Sequence, residues 1–205
     1  MSKTVVLAQQ KGGSGKTTLA AQLAAAWRAD GQSVALVDLD PQRSLSRWAK
    51  LRGDAGITLI ESKDWRAGGD IRGAAKLADR VLVDCPGNAE SLLRTALREA
   101  SLVLLPCQPT PLDAWATGAM LDLCRKEKAR ARVALNRVPA RGGALDETLA
   151  LLSEAGADLL TTRIGARVAF SNAFLTGQSA AEVQPRSRAA EEARDLAAEV
   201  EALLQ

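Results

Sequence analysis

Histidine and tyrosine are both absent from this 205-residue chain, and aromatic residues make up only 3% of it. Without histidine the chain supplies neither an imidazole base nor a His-ligated metal. The scarcity of aromatics leaves alanine, leucine and valine to build the core, and a hydrophobic content of 47% against 25% charged residues is enough for a globular fold. Cysteine is sparse too. Cys85, Cys107 and Cys124 are odd in number, far apart, set in apolar surroundings and show no Cys-x-x-Cys spacing, so reduced core thiols are expected rather than a disulfide framework or a metal site. No apolar run is long enough to cross a bilayer, and Met-Ser-Lys-Thr leads straight into an apolar stretch with no room for a signal peptide. A cytoplasmic protein is expected. Repeats, low-complexity tracts and linkers are missing as well, which predicts one domain over residues 1–205. A net charge of +3 is too small to indicate nucleic acid by itself.

The chemistry is concentrated near the start. Thr4-Val5-Val6-Leu7-Ala8 is short, apolar and β-branched, which predicts a buried strand, and the Ala/Leu-rich residues 19–27 predict a helix. Between them lies Gln10-Lys11-Gly12-Gly13-Ser14-Gly15-Lys16-Thr17-Thr18. Gly12, Gly13 and Gly15 remove the Cβ atoms that would hold a phosphate away from backbone N–H groups, and the first N–H groups of the following helix point at the same place. Ser14 and Thr18 complete this cradle. Lys16 is placed to reach the β/γ-phosphates and the Thr17 hydroxyl to ligate Mg²⁺.

The standard phosphate-loop pattern wants glycine six residues before Lys16, where this chain has Gln10 with Lys11 beside it. Lys-Gly-Gly-x-Gly-Lys-Thr-Thr resembles the deviant Walker A motif of the ParA/MinD superfamily. The resemblance implies that Lys11 reaches across a nucleotide-sandwich homodimer to the partner's phosphates. A second buried strand, residues 33–37, delivers Asp38-Leu39-Asp40-Pro41-Gln42, which resembles the family's Asp-x-Asp-Pro-Gln switch segment. By that resemblance Asp40 positions the attacking water and Asp38 sits near the metal; two carboxylates capping a helix over 43–52 are an equally simple reading of the same residues. Residues 80–84 form an apolar strand ending in an acid, the Walker B pattern, so Asp84 is expected in the Mg²⁺ shell, with Pro86-Gly87 as the loop that senses the γ-phosphate.

Further strands are expected over 57–60, 101–105, 133–137 and 159–164, with a weak, glycine-broken helix within 62–77 and helices over 144–155, 167–175 and 187–204. The prolines at 106, 109 and 111 forbid helix until Leu112. That stretch reads either as a rigid connector or, by resemblance, as the segment near the nucleotide at the dimer interface. Asn136 can both donate to and accept from a base edge, and in this family the residues after that strand touch the adenine. The fold predicted is α/β, a mostly parallel twisted sheet with helices on both faces.

The resemblance implies a Mg²⁺-dependent ATPase for DNA partition or cargo positioning. Its ATP-bound dimer holds DNA non-specifically, on the nucleoid, and a ParB-like or other adaptor stimulates hydrolysis and release. A MinD-like membrane cycle is the alternative. It needs a basic C-terminal helix, whereas residues 187–205 carry a surplus of acids. A metal-cluster reductase would need surface cysteines at a dimer axis, and a dethiobiotin-synthetase-like ligase would not carry Asp-Leu-Asp-Pro-Gln. For DNA, Arg163, Arg167 and Arg186 are favoured over the denser run Arg125, Lys126, Lys128, Arg130 and Arg132, which a helix C-terminus explains without DNA.

Overall fold

Six short apolar strands alternate with helices: β1 (Lys3–Leu7), β2 (Val34–Asp38), β3 (Ile57–Glu61), β4 (Arg80–Asp84), β5 (Leu102–Cys107) and β6 (Ala131–Leu135). The structure, a computed structural model, describes residues 2–142 and 144–205. The strands form one sheet in the order β3-β2-β4-β1-β5-β6, and every neighbouring pair is parallel. Parallel strands require crossovers, and the crossover helices cover both faces of the sheet.

On one face lie α1 (Lys16–Ala29), α2 (Ser44–Arg52), α7 (Val168–Phe174), α8 (Ala180–Val183) and α9 (Arg188–Leu204), packed on Val5, Leu7, Leu36, Leu82, Leu102 and Leu104. On the other lie α3 (Ala67–Ala74), α4 (Glu90–Arg98), α5 (Pro111–Lys126) and α6 (Leu145–Glu154), packed on Val6, Val37, Val83, Val103 and Leu105. Successive strand residues thus feed opposite cores, which is why these strands read as continuous apolar runs. Cys85, Cys107 and Cys124 are buried and free, as their surroundings predict.

Strand β6 lies two residues earlier than the strand expected over 133–137, and α4 fills a stretch for which no element was expected. Three other differences have a visible cause. Residues 159–164 are not a strand: only isolated bridges join Val133 to Leu159 and Val138 to Gly165. The segment keeps backbone bonds to β6 at Leu160 and Ile164, while between them Glu199 of α9 accepts the N–H groups of Thr161 at 2.6 Å and Thr162 at 2.8 Å, so the ladder is interrupted at Thr162. Strand β5 runs on through Pro106 to Cys107. Its ladder with β1 has ended by then, so the missing proline N–H costs no ladder bond, and the Pro106 carbonyl accepts from the Gln9 side chain at 3.2 Å. Helix α5 begins one residue earlier than expected, at Pro111, where a proline's fixed φ suits the first helical position, and Thr110 caps it by accepting the Asp113 N–H.

Candidate nucleotide site

All six strands point their carboxyl ends at one edge of the sheet, and β1, β2, β4 and β6 each deliver a polar side chain or loop there. In such sheets ligands bind beyond the carboxyl ends where the strand order switches direction. Here the chain leaves β1 for β2 on one side and later crosses from β4 to β5 on the other. The glycine loop sits at that switch, between β1 and α1.

Side chains from other elements hold the loop open. Asn136, at the end of β6, donates to the Ser14 carbonyl at 2.7 Å, and Gln108, just after β5, donates to the Gly13 carbonyl at 3.0 Å. Gly15 has φ +103°, and a Cβ there would lie 2.1 Å from the Asn136 amide nitrogen. Glycine is therefore required both by backbone conformation and by the approach of Asn136. The Asn136 side chain is buried, and its oxygen accepts the Arg137 N–H at 2.9 Å. Asn136 thus links β6 to the glycine loop through both ends of its amide. Arg137, at φ +53°, borders the clefts on both sides of the loop.

Lys16 is buried, and its Nζ donates to the Gln9 carbonyl at 3.1 Å across the mouth of the loop. The Thr17 hydroxyl donates to Asp84 Oδ2 at 2.6 Å. Asp84 is fully buried and its Oδ1 has no partner among the described residues. Burial pushes its carboxyl up to about 7, against the opposing pull of the Thr17 bond and Lys16. A buried carboxylate with an orphan oxygen beside a hydroxyl is a hard oxygen donor set, the kind Mg²⁺ takes while keeping most of its waters. These residues fit that ion.

Asp38 lies beside Asp84 across the β2–β4 register and is also fully buried. Its Oδ1 accepts the Asp40 N–H at 3.0 Å, and its Oδ2 accepts both the Ser46 N–H and the Ser46 hydroxyl, at 2.9 and 2.7 Å. Asp38 therefore ties the Asp40 loop to the first turn of α2. Helix capping falls to it and not to Asp40, whose Oδ1 accepts the Gln42 N–H at 2.8 Å while α2 starts only after Arg43 in a left-handed conformation. Freed from that task, Asp40 borders the phosphate cleft with Pro86 and Gly87. Gly87 has no room for a side chain: a Cβ would meet the Gln10 carbonyl oxygen at 2.6 Å.

Lys11 pairs with Asp113 in the first turn of α5. Asp113 is 1% exposed, accepts the Thr110 hydroxyl as well, and keeps Oδ1 unpartnered among the described residues. Neither Asp113 nor Gln108 stands out in the sequence beyond its place in the proline-rich segment. That segment does reach the nucleotide loop.

Two clefts adjoin the loop. One, of about 540 Å³, is lined by Gly12, Gly13, Lys16, Thr17, Asp40 and Gly87; the other, of about 340 Å³, by Asn136, Arg137, Ile164, Gly165, Val168 and Phe170. They share Gly15, Thr18 and Arg137. The first is polar and glycine-walled as phosphates require, and the second has the apolar wall that suits a base.

Among known proteins, residues 5–180 match the family described as the CobQ/CobB/MinD/ParA nucleotide binding domain. The chain is 31% identical over 196 residues to the maintenance of carboxysome distribution protein A of Halothiobacillus neapolitanus, covering 91% of this chain and 90% of that one. It is 34% identical over 185 residues to the protein of the same name from Gloeobacter kilaueensis, covering 86% and 83%. The septum site-determining protein MinD of Pyrococcus horikoshii, solved in complex with Mg-ADP, shares the fold with a TM-score of 0.78 at 20% identity, over 99% of this chain and 97% of that one. On this match and these relatives, the chain belongs to the CobQ/CobB/MinD/ParA nucleotide-binding family and is a ParA-type partition or positioning ATPase.

Proposed function

We propose that residues 1–205 work as one Mg²⁺-dependent ATPase domain whose ATP-bound form is a homodimer on DNA, released when an adaptor stimulates hydrolysis. The observation that carries this reading is the convergence at the loop: Lys16 across its mouth, the Thr17–Asp84 pair with an orphan buried oxygen, and Asp40 on the cleft wall. The β/γ-phosphates sit in the larger cleft, where backbone N–H groups and the Lys16 ammonium meet charge that builds up on the transferred phosphoryl. Mg²⁺, when bound by Thr17 and the Asp84 shell, supplies the remaining neutralisation of the phosphate oxygens. Asp38 holds the Asp40 loop, so Asp40 orients the water and Asp38 acts as a positioning residue. The base lies in the smaller cleft against Arg137, with Asn136 beneath it.

Lys11 supplies the charge to the partner's phosphates once it leaves Asp113. Part of the cost of uncovering that buried carboxylate is met by the new phosphate contact. For DNA, Arg125, Arg130 and Arg132 of the dense run are engaged within the chain, with Asp122, the Leu203 carbonyl and Asp158 respectively. Arg163 and Arg186 are exposed with no partner among the described residues, while Arg167 is tied to Glu192 at 2.5 Å. The C-terminal patch, led by Arg163 and Arg186, is therefore favoured as the phosphate contact. Membrane cycling is disfavoured because the apolar stripe of α9, including Leu196 and Val200, is already buried on the body of the protein. Likeness to two carboxysome-distribution proteins over most of their length favours a carboxysome or a similar cellular body as cargo over a plasmid.

The test is Asp40→Ala with ATP and Mg²⁺. The variant is expected to bind ATP and stay dimeric on gel filtration through an hour in which the wild type returns to monomer. An ATP-bound Asp40→Ala monomer would count against the reading.

A further inference from the structure

The loop that carries Asp40 is closed by a side chain. Arg43, the last residue of that loop, reaches back to the first: one guanidinium nitrogen donates to the Asp38 carbonyl at the end of β2, and the other donates to the Ser62 carbonyl just past β3, at 2.6 Å. The Asp38 carbonyl also accepts the Ser62 N–H at 3.1 Å, so both of its lone pairs are taken. The Arg43 backbone serves the same loop, its N–H donating to the Asp40 carbonyl at 3.0 Å. Asp40 therefore lies inside a ring that runs through residues 38–43 and shuts at Arg43. The far anchor is firm, because Ser62 is buried and its hydroxyl donates to Asp70 of α3 at 2.7 Å.

Arg43 holds this place in a conformation that arginine disfavours. It precedes α2 at φ +54° and ψ +35°. A residue ahead of a helix is ordinarily extended and caps it with a side-chain oxygen, whereas left-handed residues ordinarily end helices and are mostly glycine. The Arg43 side chain makes no cap bond to α2. Glycine would adopt this backbone freely but would bring no guanidinium. Charge pairing does not explain the placement either: Arg43 Nη1 lies 4.0 Å from Asp38 Oδ1, beyond hydrogen-bond length, and the Asp38 carboxylate is already bound by the Asp40 N–H and by Ser46. The side-chain hydrogen bonds of Arg43 among the described residues go to backbone carbonyls alone. A strained residue that stitches backbone to backbone beside a site points to a role in that site's geometry. The role is indirect, since the described residues lining the phosphate cleft include Asp40, Pro41 and Gln42 but not Arg43.

We propose that Arg43 is a positioning residue for hydrolysis, which clasps the Asp40 loop to the ends of β2 and β3 and so fixes where the Asp40 carboxylate meets the water. The inference rests on the reading of Asp40 as the residue that orients that water.

The experiment is single-turnover hydrolysis of ATP with Mg²⁺ by the full chain, with ATP affinity and urea unfolding measured on the same samples. Wild type is compared with Arg43→Gly, Arg43→Lys, Asp40→Ala and Asp40→Ala/Arg43→Gly. Arg43→Gly keeps the left-handed backbone without strain and loses both carbonyl bonds, so its rate is expected to fall at least about tenfold while ATP affinity is unchanged. Lysine reaches one carbonyl in place of two, and its rate is expected to lie between those of wild type and Arg43→Gly; it carries the comparison if the glycine variant folds poorly. Once Asp40 is alanine, Arg43→Gly is expected to slow hydrolysis no further, an outcome that a merely structural role would not give. Hydrolysis at the wild-type rate by both Arg43 variants, with Asp40→Ala slow, overturns the inference and leaves the reading of Asp40 standing. Slowing by Arg43→Gly that multiplies with that of Asp40→Ala overturns it too. A wild-type rate for Asp40→Ala overturns the reading of Asp40 and this inference together.

Discussion

Replacing Gly15 by alanine tests how the phosphate loop is held. The new methyl would have to occupy a point 2.1 Å from the Asn136 amide nitrogen, at a backbone φ of +103° that only glycine adopts freely. The backbone conformation alone costs about 1–2 kcal/mol for an L-residue. Displacing Asn136 breaks its 2.7 Å bond to the Ser14 carbonyl and leaves buried polar groups unpaired, at a further cost of about 1–3 kcal/mol. Asn136→Ala alone loses the second of these and not the first. In the double variant the broken hydrogen bond is counted once and the methyl has room. The two changes should therefore fall short of additivity by about 1–3 kcal/mol, well beyond the few tenths expected of independent sites. The assay is urea unfolding of wild type, both single variants and the double variant at 25 °C without nucleotide. Additivity within about 0.5 kcal/mol would mean that Asn136 does not brace the loop.

Two further outcomes are expected. If Arg163 and Arg186 bind DNA phosphates, Arg163→Ala/Arg186→Ala should lower the slope of log K against log salt by about 0.9 for each phosphate that a subunit no longer neutralises, whatever the DNA sequence; a reduced slope for Lys126→Ala/Lys128→Ala with none for the arginine pair would move the DNA surface. Glu199 is partly desolvated, which alone would raise its pKa, yet the N–H groups of Thr161 and Thr162 hold it below the usual 4.5. A depressed carboxylate contributes stability above its unfolded pKa and loses it as pH falls through the folded one. The stability gap between wild type and Glu199→Gln should thus be full at pH 7 and shrink as pH falls below the usual 4.5 in urea unfolding, and a gap independent of pH would contradict this.

Much of the phosphate site is legible in the residues because its parts are local. A β-branched run, three glycines and Lys-Thr before an alanine-rich helix can hardly be arranged otherwise, and apolar runs ending in Asp38 and Asp84 place those acids at strand ends. What could not be read depends on side chains meeting across the fold. Nothing around Asn136 in the sequence tells that its amide lies against Gly15, 121 positions earlier. Asp113 looks like an ordinary acid in a helix's first turn until Lys11 is found on it. The strand expected over 159–164 failed for the same reason: Leu160 and Ile164 face the core and bond to β6, yet Glu199 takes the Thr162 N–H that a continuous ladder would use. Even the acid surplus of the last helix has a structural use, since Glu192, Glu199 and Glu201 bind Arg167, the Thr161–Thr162 backbone and Arg80.

The central claim is that ATP joins two chains through Lys11. Sedimentation velocity with ATP and Mg²⁺ measures it directly on wild type and Lys11→Ala, with bound nucleotide quantified in the same samples. The account predicts a doubled mass for wild type, and for Lys11→Ala a monomer that still carries ATP, because Lys16 and the loop amides remain. A Lys11→Ala dimer of wild-type strength, or a wild-type chain that binds ATP and stays monomeric, would contradict it.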